Sequence, residues 1–167
     1  YRNEFNFNTL NKNNFIKDSI TFLSYKNQIN TSIIARQIND SGYFYKNLAL
    51  RNAYDVFLLS KKTNAKSAFE ELDKLKTPIN CFLATCYEVF NKPKSLEYSK
   101  SDETESYLNI FSNHLSNKKS REKHHKKVKR KLFIEKRASI IFKSIFKKDY
   151  RNWLLKRLSA KISKKKK

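Results

Sequence analysis

Glycine occurs once in 167 residues, at Gly42, and proline twice, at Pro78 and Pro93. So few turn formers exclude Gly-rich phosphate loops and the dinucleotide fingerprint, and they argue against a β-sandwich or barrel. Helices joined by polar loops are favoured instead. Cysteine occurs twice, and Cys81 and Cys86 stand five apart. That spacing puts them on opposite faces of a strand, or roughly 140° apart on a helix. Neither geometry closes a disulfide easily, so two buried free thiols in a reducing compartment are expected. Long apolar runs are missing. Stretches such as Cys81–Ala84 fall far below the ~18–20 residues of a membrane span. No G-x-S-x-G elbow accompanies the many serines. Asp102, Glu103 and Glu105 cluster in a polar stretch read as a loop, where carboxylates are solvated and cannot form a fixed two-metal site. His124 and His125 are adjacent, and His114 stands ten residues earlier, without Cys or acid partners at ligand spacing. They are read as solvated or RNA-facing. The chain is therefore expected to be no enzyme and to hold neither metal nor cofactor.

Acidic residues are scarce where basic ones crowd. Residues 118–167 carry 22 Lys and Arg against three acids, Glu122, Glu135 and Asp149, and so hold +19 of the net +22. An asymmetry of this kind points to an anionic partner, nucleic acid first and an anionic membrane second. Phosphates at close spacing require cations at close spacing, and their neutralisation releases counterions. Lys118, Lys119, Arg121, Lys123, Lys126, Lys127, Lys129, Arg130, Lys131, Lys136 and Arg137 are the densest group of candidate RNA-binding residues. Lys143, Lys147, Lys148, Arg151, Lys156 and Arg157 follow them, and Arg36 stands apart. Phe133, Tyr150 and Trp153 are available to stack on bases, although core packing is the expected role of Phe133 and Trp153. The composition still provides material for one modest core: 39% hydrophobic residues, with 13 Phe and 9 Tyr. Heavy use of Lys, Asn, Ile and Phe, with 18 Asn, matches an AT-rich genome such as a protist or organellar one.

Residues 1–29 read as a polar, aromatic-dotted arm, extended or weakly helical, without the Arg content or cleavage pattern of a targeting peptide. The spacing of Ile34 and Ile38 predicts a helix over 31–40, capped by Asn30 or Thr31 and stopped by a left-handed Gly42. Ala49, Ala53, Val56 and Phe57 predict a second helix over 46–61. Ser67 and Glu70 form a capping-box pattern for a third over 67–76, with Phe69, Leu72 and Leu75 inward and Pro78 barring extension past Thr77. Residues 79–90 are ambiguous between strand and helix. Residues 91–127 read as insertion or loop, with a short helix at 106–115. Two closing helices are expected at 138–147 and 151–163, on the stripes Ala138, Ile141, Phe142, Ile145 and Leu154, Leu155, Leu158, Ile162. These closing helices are expected to pack with 48–57 as the core. The final lysines, 163–167, form a basic tail expected to be disordered unless bound.

In order and spacing, these segments resemble the family of small-subunit ribosomal protein seven. That family opens with a helix of the form S-x-L-L-A-K-x-I-N; here stands Thr31–Ser32–Ile33–Ile34–Ala35–Arg36–Gln37–Ile38–Asn39. Its second helix reads roughly S-L-A-x-R-I-V-Y-D-A-L; here stands Asn47–Leu48–Ala49–Leu50–Arg51–Asn52–Ala53–Tyr54–Asp55–Val56–Phe57. A K-T-G-K stretch, an F-E and a V-R-P end correspond to Lys62–Thr63–Asn64–Ala65–Lys66, Phe69–Glu70 and Lys76–Thr77–Pro78. The family's second hairpin arm, V-P-V-E-V-R-P-E-R-R, looks like 128–137, and its following helices look like 138–148 and 152–160. The family's V-G-G-x-T-Y hairpin and its C-terminal K-K-R-E-D helix have no counterpart here.

The resemblance implies a mainly α bundle of about five helices over 30–162, preceded by the extension 1–29. A hairpin or looped excursion over 79–134, with its insertion at 91–127, would separate the third and fourth helices. It implies a structural constituent of a small ribosomal subunit that binds the 3′ major domain of the small rRNA and neighbouring ribosomal proteins. In this family the hairpin lies near the tRNA exit site and the mRNA exit path. The divergence is similar to that of organellar members, so a mitochondrial ribosome is expected, with another organelle or the cytoplasm as the alternative. A free-standing nucleic-acid-binding regulator and a peripheral membrane subunit are the competing readings of the same charge.

Overall fold

The computed structural model describes residues 6–69 and 72–165. The chain is mainly α-helical, as the composition requires, and divides into two compact units, one ending at Arg121 and one running from Glu122 to Lys167.

The first unit begins with a short helix, α1 (Phe7–Leu10), capped by the Asn6 side chain, and a two-stranded antiparallel hairpin, β1 (Phe15–Lys17) and β2 (Ile20–Phe22). Asp18 and Ser19 both take positive φ between the strands, the backbone a tight two-residue hairpin demands. Phe15 stacks on Phe22 at 5.6 Å and tilts against Tyr25 at 5.1 Å. The Asn27 side-chain amide donates to the carbonyls of Thr9, Leu10 and Lys12. The described part of the N-terminal arm is thus tied to its own chain.

Helix α2 (Tyr25–Ile34) starts six residues earlier than the spacing predicts. Its cap is Ser24, whose Oγ accepts from Asn27 N–H at 3.2 Å. The expected caps have other roles: Asn30 is buried and donates to the Ala68 carbonyl, and Thr31 donates to Asn27 within the helix. The helix continues as a π-type turn over Ala35–Asn39. Gly42 does not end it in the left-handed region; Ser41 does, with φ of 60°. Gly42 instead opens α3 (Gly42–Tyr45), where a Cβ would meet the Arg36 carbonyl oxygen at 2.7 Å. Close approach, and not a positive φ, is what requires glycine here.

Helix α4 (Leu50–Ser60) buries Ala53 and Val56. The expected helix over 67–76 is replaced by two 3-10 turns, Ser67–Phe69 and Asp73–Leu75. Asn64 caps the first of these, its Oδ1 accepting from Ser67 N–H at 3.1 Å; Glu70 lies outside the described residues. Phe69, Leu72 and Leu75 are buried as anticipated. Pro78 does not bar a helix, since it stands in the first turn of α5 (Lys76–Val89), where its missing N–H would have had no partner. Helix α5 settles the ambiguous stretch. All eight residues from Ile79 to Cys86 are buried, the mark of a helix enclosed on every side. Its polar groups are satisfied: Asn80 exchanges two hydrogen bonds with the Ser99 backbone, and Thr85 Oγ1 donates to the Cys81 carbonyl at 2.8 Å. The core joins Ile29 and Ile33 of α2, Val56 of α4, Leu72 and Leu75, and Phe82 and Leu83 of α5.

Residues 91–127 are not a loop. After a 3-10 turn at Lys94–Leu96 comes α6 (Asp102–Ser116), which buries Tyr107. Ser101 and Thr104 form a reciprocal capping box, and Asp102, Glu103 and Glu105 occupy the first turn, where the dipole favours anions. The excursion that the resemblance implies over 79–134 is therefore built of helices: α5, α6 and the start of α7 (Lys118–Phe146). Helix α7 crosses from the first unit into the second and is followed by α8 (Lys148–Lys165), which takes in most of the expected basic tail.

The second unit overturns the expected core. No residue of α7 is buried; Phe142 is 64% exposed, and Ile141, Ile145 and Leu155 are similarly open. Phe133 and Trp153, expected in the core, are 54% and 44% exposed.

Candidate nucleic-acid interface

Helix α7 is 29 residues long, ~43 Å at 1.5 Å per residue. Its sequence contains neither Gly nor Pro, and Lys and Arg are good helix formers. Asn117 caps its start, accepting from Ser120 N–H at 3.0 Å, while the Asn113 amide donates to Ser120 Oγ at 2.9 Å. From 118 to 131 it carries nine cations, Lys118, Lys119, Arg121, Lys123, Lys126, Lys127, Lys129, Arg130 and Lys131, against the single acid Glu122. All nine are exposed. They occupy ~20 Å of helix, close to one charge per 2 Å, which is comparable to the charge spacing of a duplex. Lys119, Lys123, Lys127 and Lys131 succeed one another at i, i+4, a mutually repulsive row. On this helix Lys131 pairs with Glu135 at 3.7 Å. That pair is exposed and so compensates little, and Glu122 is the single acid within 118–131.

Lys136, Arg137 and Lys143 continue along α7, and Lys147 is the single residue between α7 and α8. Lys148, Arg151, Lys156 and Arg157 stand exposed on α8. Three cations of this unit lie over aromatic rings: Arg137 over Phe133 at 3.3 Å, Arg157 over Trp153 at 4.9 Å and Lys143 over Tyr150 at 5.6 Å. Such pairs hold the cationic heads close to the helix surface.

Arg36 does not belong with this group. It sits in the first unit, where one guanidinium nitrogen donates to Asn47 Oδ1 at 2.9 Å and another pairs with Asp40 at 3.5 Å. Its side chain braces the turn around Gly42. His124 and His125 are half-buried on α7 and meet edge to face at 6.3 Å. Among the described residues no group of three His, Cys, Asp or Glu is placed to hold a metal ion. No described helix is long and apolar enough to cross a membrane.

One polar cluster in the first unit escaped the sequence reading. Lys46, in the left-handed region, places its ammonium 4.1 Å from the Tyr43 ring centre and 4.4 Å from that of Tyr107; the two rings stack 5.8 Å apart. Burial lowers the Lys46 pKa and raises those of Tyr43 and Tyr107. Cys81 and Cys86 are buried and free, as their spacing implies. Burial pushes the Cys81 thiol up to about 11 and Cys86 further still, so neither is a nucleophile at neutral pH. Lys46 is a wedge between aromatic faces, and it has the chemistry of a structural clasp.

Compared with known proteins, the chain matches no family model, no curated protein and no solved structure.

The sequence reading also missed the use of the apolar residues on α7 and α8. Phe133, Ile140, Ile141, Trp153 and Leu154 line an open groove of about 630 Å³. The signal was available in the cation density: 12 of the 29 residues of α7 are Lys or Arg, far more than a helix enclosed on all sides carries.

Proposed function

We propose that this protein is a structural RNA-binding component of a ribonucleoprotein, the small subunit of an organellar ribosome, and that α7 with α8 is its RNA-binding element. The observation that carries the reading is the run of nine exposed cations against one acid on 118–131. A helix so charged is poorly stable in isolation and gains by lying among phosphates, where its repulsion becomes attraction. Cations on several faces suit a site where RNA strands approach from more than one side. The first unit supplies the folded body, and the reaction requires no bond making. The ribosomal assignment draws on the resemblance, in order and spacing, of 31–78 to the protein-seven family. Binding to the 3′ major domain of the small rRNA, near the exit sites for tRNA and mRNA, follows from that family if the assignment holds. The segment 128–137, likened to a hairpin arm, is helical here, so the placement of that arm is not carried over to this chain.

Two measurements test the reading. Tagged protein from its native organelle is run on a sucrose gradient; co-migration with small subunits supports it, and sedimentation as free protein or with membranes refutes it. Filter binding of the purified chain to small-subunit rRNA across a salt series gives the phosphate count directly.

A further inference from the structure

We infer that the groove between α7 and α8 is a docking site for an acidic amphipathic helix of a neighbouring protein. Its apolar lining is aliphatic and aromatic: Ile140, Ile141 and Leu154 with Phe133 and Trp153. Every polar residue that lines it is a cation: Lys136, Arg137 and Arg157. An apolar trough lined with charges of one sign fits a helix with one apolar stripe flanked by Glu and Asp. Arg gives the lining bidentate grip on carboxylates.

The geometry discriminates against the other occupants. A nucleobase sandwiched on these rings would have to displace a cation, since Arg137 lies 3.3 Å over one face of Phe133 and Arg157 4.9 Å over one face of Trp153. A second copy would bring another +19 from residues 118–167 against this one. A bilayer surface is flat, whereas these apolar residues line a cleft shared by two helices. The inference rests on residues of 133–157 and stands apart from RNA binding by 118–131. On this view α7 is divided along its length, RNA toward Lys118 and protein toward Phe146.

Trp153 is the chain's single tryptophan and lines the groove, so its fluorescence reports binding there when the groove variants are measured beside it. The probe is a synthetic peptide of roughly 18 residues with Leu at i, i+3, i+4 and i+7 and Glu on the remaining faces. It is titrated into the full-length protein beside a shuffled peptide of identical composition. The expected result is a blue shift of Trp153 emission with the amphipathic peptide only. Ile141→Asp, at an exposed position, and Arg157→Glu, among the lining cations, each weaken the peptide by about tenfold or more, a change of ~1.4 kcal/mol. Lys100→Ala, at an exposed position of the first unit, leaves its affinity unchanged. Circular dichroism confirms that each variant retains its helix content; because the two groove variants act by different means, loss of one to misfolding leaves the other decisive. Equal response to the shuffled peptide overturns the inference. So does a blue shift produced by phosphatidylserine vesicles but not by the peptide, which assigns the groove to a membrane. Quenching of Trp153 by a single-stranded oligoribonucleotide that displaces the peptide overturns it in favour of a base-binding site.

Discussion

Phe82 and Phe142 carry the same side chain on helices with apolar residues at helical spacing, and they meet opposite fates. Phe82, on α5, is completely buried among Ile79, Leu83 and the residues of α2 and α4. Phe142, on α7, is 64% exposed and touches Phe146 edge to face at 5.3 Å. The difference lies in the company each keeps. Lys76 and Glu88 are the only charged residues of α5, whereas 12 of the 29 residues of α7 are cations. A cationic helix cannot be enclosed without desolvating its charges, so its apolar stripe remains at the surface. A stripe says that a helix has a side to bury; the charge around it decides whether this chain can do the burying. Among the described residues, every buried apolar side chain belongs to the first unit. The second presents apolar and cationic surface together, and both kinds ask for partners.

The largest effect that would sharpen this contrast is on RNA. With six to ten phosphates contacted, affinity for rRNA falls by about 10³–10⁵ between 50 and 200 mM salt. Replacing Lys126, Lys127, Lys129, Arg130 and Lys131 together by Ala reduces the slope of log K against log salt by about 4–5, while Ala preserves the helix. Filter binding checks both, and an unaltered slope would remove α7 as the RNA-binding element. Next in size is the core. Phe82→Ala costs roughly 3–5 kcal/mol out of the ~5–15 kcal/mol available to a domain of this size. Phe142→Ala stays within about 0.5 kcal/mol. Thermal unfolding of the two variants side by side breaks the comparison if their midpoints fall equally.

Smaller still is the close approach at Gly42. An added methyl 2.7 Å from the Arg36 carbonyl forces the backbone apart, and overpacking of this kind costs typically ~1–3 kcal/mol. Gly42→Ala should lower the unfolding midpoint without affecting RNA binding. The buried thiols add a pH dependence. Cys81 has a folded pKa of about 11, above its ordinary value of 9.0, so the native state holds its proton longer than the unfolded chain. Its contribution is complete below pH ~9 and is lost as pH rises toward 11. Cys86 and Tyr107, both raised by burial, act in the same direction; Lys46, lowered by burial, acts against them. The expected result is a stability plateau at neutral pH and a decline above pH ~9, measured by thermal unfolding across a pH series.

The helical class was legible because one Gly and two Pro leave little else possible, and the stripe of α4 was legible because Ala53 and Val56 do face the core. Helix ends were harder. Ser24, Asn30 and Thr31 are all competent caps, and the choice of Ser24 depends on Asn30 being needed at the Ala68 carbonyl, a partner 38 residues away. Pro78 was read as a stop because the start of α5 was not visible beneath its strand-like composition. Gly42 was correctly singled out for the wrong reason, since nothing local reveals a carbonyl approaching from Arg36. For the candidate interface, the charge of 118–131 was evident from the sequence. Its helical form was not, because a row of like charges is a poor helix in isolation. Arg36 was included by its type; the structure places it in the first unit, engaged with Asn47 and Asp40, away from the run on α7.

The smallest expected effect is the most discriminating for the second unit. Lys131 forms an exposed i, i+4 pair with Glu135 in which the base precedes the acid, the less favourable orientation with respect to the helix dipole. Removing it costs at most ~0.5 kcal/mol, and Lys131→Ala also relieves repulsion from Lys127 at i−4, so the net change in helix stability is close to zero. If Lys131 lies against a phosphate, however, its removal lowers the salt slope of RNA binding by about 1 and weakens binding uniformly across RNA sequences. Thermal unfolding and a salt titration of one protein preparation separate the two roles. An unchanged midpoint with a reduced slope places this residue on the RNA. A reduced midpoint with an unchanged slope returns Lys131 to the helix and moves the RNA-facing side of α7 away from it.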